Sequence, residues 1–126
     1  MRNAILSIFL FILTMICVYF LNNSILNLCD NIKTQTEDIE LKINDGKLED
    51  AYSESLELLN SIEEKNLLTS LYLSHQEFDN LLNEAVKLST YLIHDDETEA
   101  HASLHLVKYN SDHLKKLQLP SIENIF

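Results

Sequence analysis

Five histidines, two cysteines and twenty carboxylates make up the reactive inventory of this 126-residue chain. In "LSHQEFDN", His75 and Asp79 stand one helical turn apart, within hydrogen-bond reach of each other if the segment is helical. Such a pair can transfer a proton or contribute to a metal site. It is also how a histidine inside an apolar stripe satisfies its ring. His75 lies in the middle of such a stripe, between Leu71 and Phe78. The spacing therefore predicts a buried, structural histidine partnered by Asp79.

His101 and His105 repeat the four-residue spacing, and Glu97 extends the row. Two imidazoles one turn apart suit zinc or nickel. The pair falls beside its helix's apolar stripe, and a fixed third ligand is not evident. If the last two helices form a hairpin about residue 95, His75 stands opposite residue 115, roughly 15 Å from His105. A metal-binding or metal-responsive module using His101 and His105 is the alternative reading of function. His94 and His113 are expected at exposed helix ends.

Other chemistry is thinly supplied. A single glycine, Gly46, excludes a phosphate-binding P-loop and a dinucleotide fingerprint, and no G-x-S-x-G, C-x-x-C or H-E-x-x-H occurs. No catalytic residue, cofactor or metal is assigned, and the chain is expected not to be an enzyme. Cys17 and Cys29, on one helix, are separated by roughly 18 Å. A disulfide requires Cα atoms within about 7 Å, so the two cannot pair with each other. Cys29 could cross-link a dimer or, after "LNL", accept a lipid. The residue before a lipidated cysteine must be small and here is Leu28, so a free thiol is expected.

The elements that would position these groups begin with an apolar run. "ILSIFLFILTMICVYFL" opens at Ile5, closes at Leu21 and contains no charge, glycine or proline. At 1.5 Å per residue it measures about 25 Å, close to the lower limit for a bilayer core. Ile25, Leu26 and Leu28 lengthen it. A cleaved signal has a shorter apolar region and a small-x-small site, and "FLNNS" supplies none. An uncleaved anchor over residues 1–28 is expected. Beyond it, residues 29–126 are expected to form an acidic helical domain. The short N-terminus with Arg2 favours a cytoplasmic N-terminus, a single pass through the cell membrane and an extracytoplasmic C-terminal domain.

Charge divides at the same place. Residues 1–29 hold one charged side chain, Arg2, whereas residues 30–126 hold eight basic and twenty acidic ones, a net −12. A phosphate backbone would be repelled, so nucleic acid is not an expected partner. A solvated surface accounts for the acids.

Leu21, Ile25, Leu28, Ile32, Ile39 and Ile43 keep one helical face, so the membrane helix is predicted to run on as a stalk to about residue 44. "NDGK" breaks it, with Asp45 available to cap the next helix. This second helix is predicted over 47–64, its inner face formed by Leu48, Ala51, Tyr52, Leu56, Leu59 and Ile62. A third is predicted over 67–93, with Leu68, Leu71, His75, Phe78, Leu82, Ala85 and Leu92 inward. The turn "HDDETE" offers Asp96 and Glu99 as a capping box for a fourth helix ending near 117, where Ala100, Leu104, Val107, Ser111 and Leu114 face inward. Pro120 stops it. The fold class is all-α: a transmembrane helix continuing into a stalk, then a small antiparallel bundle of three to four helices.

"INDGKLEDA", "LSHQEFDN", the "YLIHDD" turn and the terminal "SIENIF" resemble the uncharacterised bacterial domain-of-unknown-function family 4363 over nearly the whole chain. His75, Glu77, Asp79, Asn80 and the closing "ENIF" are the most specific parts. The resemblance implies a small membrane-anchored helical protein of Gram-positive type and brings no activity, cofactor or catalytic residue. The combined expectation is a non-enzymatic accessory protein that touches lipid through its first helix and binds a protein partner.

Overall fold

A computed structural model describes residues 1–67 and 75–118 of the chain. These residues form four helices: α1 (Arg2–Asn44), α2 (Leu48–Glu64), α3 (His75–Ile93) and α4 (Glu97–Gln118). α1 packs on α2 and α4, and α3 packs on the same two helices, so the four close into a bundle.

Cross-helix pairs fix the directions. Gln35 and Ser61, then Ser24 and Lys65, join α1 to α2 in antiparallel order. Glu40 with Lys108 and Asp30 with Lys115 do the same for α1 and α4. With α3 reversing into α4 at residues 94–96, the order is up-down-up-down.

The core consists of Ile25, Leu28, Ile32, Ile39 and Ile43 of α1 against Leu58 and Ile62 of α2, Leu81, Leu88 and Leu92 of α3, and Leu104, Val107 and Leu114 of α4. The expected stalk is thus the first helix of the bundle. Its apolar face packs on the protein's own helices. The sequence places residues up to 28 in the anchor, yet Ile25 and Leu28 are core side chains, each 2% exposed. An apolar residue on a helix does not announce whether lipid or protein covers it; the neighbouring helices decide.

Small polar residues complete the packing. The seven-residue gap between Ile32 and Ile39 is filled by buried Thr36, whose Oγ1 donates to the Ile32 carbonyl at 2.8 Å. Ser55 and Ser89 are buried in the same manner, donating to the carbonyls of Tyr52 and Val86. A hydroxyl that bonds its own helix removes its polar cost and lets a neighbouring helix approach closely.

Most of the expected inner faces are observed, and all five inward residues of α4 are buried. Leu56 of α2 is instead exposed, and Leu58 is buried in its place, because Ser55 carries the stripe between Ala51 and Leu58. In α3, Leu81 and Leu88 lead the core, with Leu82 partly covered. Leu68, Leu71 and the segment 119–126, including Pro120, lie outside the described residues.

Two turns close the hairpins by one device. At 45–47, Gly46 takes φ +74°, and the Lys47 N–H donates to the Lys42 carbonyl at 2.8 Å. At 94–96, Asp95 takes φ +57°, and the Asp96 N–H donates to the Tyr91 carbonyl at 2.9 Å. Each left-handed residue lets the chain reverse while satisfying the last helical carbonyls. Asp96 Oδ1 then accepts from the Glu99 N–H at 3.2 Å, capping α4 as the sequence suggests. Asp45 makes no equivalent side-chain cap for α2.

Candidate functional site

Residues 2–20 of α1 are exposed along their whole length, and their side chains are almost all apolar. Ser7 and Thr14, the aliphatic hydroxyl residues of the run, donate to the carbonyls of Asn3 and Leu10 at 2.9 and 2.8 Å. Their polar atoms are therefore satisfied within the helix, as an apolar surrounding requires. Among the described residues, α1 is the helix long and apolar enough to cross a membrane. One uninterrupted helix carries both this stretch and its share of the bundle core.

His75 is the first residue of α3 and is exposed, as is Asp79. The expected buried histidine is corrected. Phe78, Leu81, Ala85 and Leu88 define the buried face of α3, and His75 falls off it.

His105 is exposed and His101 half-buried, beside the core stripe of α4 as expected. What spacing did not reveal is the acid of α1 that pairs with Lys108 on the same helix. Glu40 of α1 binds Lys108, with Oε2 2.6 Å from Nζ. Lys108 holds the Glu40 carboxyl below its ordinary range, aided by the fields of His105 and His101. The arrangement is an interhelical clamp in which Lys108 already occupies the carboxylate. Among the described residues, no three His, Cys, Asp or Glu side chains are grouped as ligands of one metal ion.

Cys29 is 2% exposed, and burial pushes its thiol up from 9.0 to about 11, partly offset by a hydrogen bond with Ser111. A buried, protonated thiol is a poor nucleophile. Cys29 is the free thiol that the sequence leads one to expect, and its burial in the bundle keeps it from cross-linking a dimer or carrying a lipid.

Grooves formed by the described residues mark the bundle surface. Lys33, Glu37, Lys108, Tyr109, Ser111 and Asp112 line one of about 200 Å³ between α1 and α4. A second, of about 420 Å³, runs between α3 and α4 past Val86, Leu106, Asn80, Asn83 and Asn110. A third, of about 270 Å³, lies at the end far from the apolar run, between α2 and α3, and is lined by Leu48, Tyr52, Leu92 and Ile93 with Glu49 and Asp95. None of them gathers a nucleophile, a base and an orienting group.

The family model described as a domain of unknown function, DUF4363, matches residues 19–125. The chain belongs to the DUF4363 family. The DUF4363 match begins at residue 19, near the end of the exposed apolar run, so what it covers is the bundle itself. No curated protein and no solved structure matches the chain.

Proposed function

We propose that this DUF4363 protein is a membrane-anchored accessory protein that acts by binding a protein partner and not by catalysis. The observation that supports the reading is the continuity of α1. Its first five turns offer lipid-compatible side chains on every face, and the next turn enters the core. An apolar surface of that length needs a covering in water, and a bilayer supplies one. Residues 1–20 form the span, Arg2 and the N-terminus stay in the cytoplasm, and the bundle stands outside the cell directly on the bilayer surface.

Such a bundle cannot swing on a linker. Any tilt of the span tilts the bundle, because one helix forms both. A rigid, acidic four-helix module held at a fixed height is suited to present a surface to a neighbouring protein. Chemical cross-linking in native membranes, with identification of the linked protein, tests this. A stable, specific cross-linked species is expected. A chain that remains uncross-linked while the purified protein converts a small molecule would overturn the reading.

A second reading is a metal-responsive clamp at His101 and His105, whose fields reach Glu40 of α1. Zinc or nickel would have to draw Glu40 away from Lys108 to gain a third ligand. Calorimetric titration with each metal, repeated on His101→Ala, distinguishes the readings: saturable binding lost in the variant supports the clamp.

A further inference from the structure

The groove at the membrane-distal end joins an apolar floor to an acidic rim. Leu92 is buried, Leu48 and Tyr52 pack half-covered on the core, and Ile93 beside them is 55% exposed. Isolated surface leucines and isoleucines are ordinary; a cluster seated in a concavity is not. The rim is predominantly acidic. Residues 44–51 and 93–100, which build this end, contain seven carboxylates and a single lysine, Lys47. Glu49 and Asp95 stand in the groove lining itself.

We infer that this groove docks an apolar segment of a partner protein flanked by lysine or arginine, an inference that rests on the partner-binding reading above. The apolar floor supplies burial, and the carboxylate rim supplies steering and selects against acidic segments. The height of the groove narrows the partner further. Some twenty-three residues of helix separate the end of the span from the turn at Gly46, which places the groove roughly 35 Å above the bilayer surface. That exceeds a Debye length several times over, so lipid head-group charge does not compete there. The partner must carry its basic segment on a part that rises equally far from the membrane.

The test uses the full chain in nanodiscs of zwitterionic lipid and a fluorescent helical peptide of about 14 residues with a leucine stripe flanked by lysine and arginine. Saturable binding is expected, weakened about tenfold by Ile93→Ser and by Glu49→Lys. Glu49 is exposed on the first turn of α2, so its variant separates loss of docking from loss of fold. Val86→Ser, in the asparagine-lined groove, is expected to bind as the parent does. Equal binding of a peptide with glutamate flanks, equal binding of a basic peptide lacking the stripe, or no saturable binding would each overturn the inference. So would self-association abolished by Ile93→Ser, which would make a second copy the occupant. A photo-cross-linker placed at position 93 separates this inference from the broader one. If a partner is captured in native membranes from other positions and not from 93, partner binding stands and this docking site falls.

Discussion

The Ser111 hydroxyl donates to the Cys29 carbonyl at 3.4 Å, tying α4 to α1 one turn inside the bundle from Ile25. The same contact keeps the Cys29 thiol covered. With Cys17 replaced by Ser, maleimide labelling of Cys29 is expected to be slow in the folded protein and fast in denaturant. The direction of the shift sets the pH dependence. The folded thiol titrates at about 11 and the unfolded one near 9.0, so only the unfolded chain loses its proton between them. Stability from this group is intact below pH 9 and falls as pH rises toward 11. Denaturation midpoints of parent and Cys29→Ala across that range measure it: the parent should lose more.

A chain beginning at residue 21 is expected to fold, whereas one beginning at residue 29 removes Ile25 and Leu28 from the core. Each lost large side chain costs about 2–5 kcal/mol. Thermal melts monitored by circular dichroism compare the two; equal midpoints would remove α1 residues 25–28 from the bundle.

Gly46 and Asp95 occupy equivalent left-handed positions with unequal residues. Gly46→Ala is expected to destabilise by about 1 kcal/mol, since nothing crowds the site and the backbone strain is the whole effect. Asp95→Gly is expected to stabilise by up to about 1 kcal/mol for the same reason. Urea titration reads both, and opposite signs are the result that matters.

Lys108 lowers the Glu40 carboxyl from 4.5. A lowered carboxyl contributes above its unfolded value, and that contribution disappears as pH falls through the folded one. Both side chains are about one-third exposed, so the pair is worth about 1 kcal/mol or less. Glu40→Gln should therefore lower stability slightly at pH 7 and not at all near pH 3. A loss that persists in acid would assign Glu40 a packing role instead.

Exposure of His75 reverses the effect its spacing suggests. His75→Ala is expected to change stability by no more than about 0.5 kcal/mol. A loss several times larger in the same urea titration would return His75 to the interior.

The helical class, the break at "NDGK", the cap at Asp96 and the stripe of α4 were legible without coordinates. Each depends on local chemistry: the 3.6-residue period, the φ of glycine, and a carboxylate near free N–H groups. The reactive-looking residues were less legible. A histidine's spacing shows which face it shares, but burial requires a neighbour to arrive. His75 is exposed among the described residues, and the fields of His101 and His105 reach Glu40, sixty-one residues from the nearer of them in sequence.

The first 44 residues draw the same line most sharply. Composition by itself determined that they are helical and that their beginning is apolar on all sides. Whether the side chains after Leu21 face lipid or protein was decided by α2 and α4, which return along them through contacts distant in sequence. Apolar side chains gain from leaving water whatever covers them. Only the tertiary arrangement, by bringing Ile62 and Leu114 to the same core, made Ile25 and Leu28 part of a bundle.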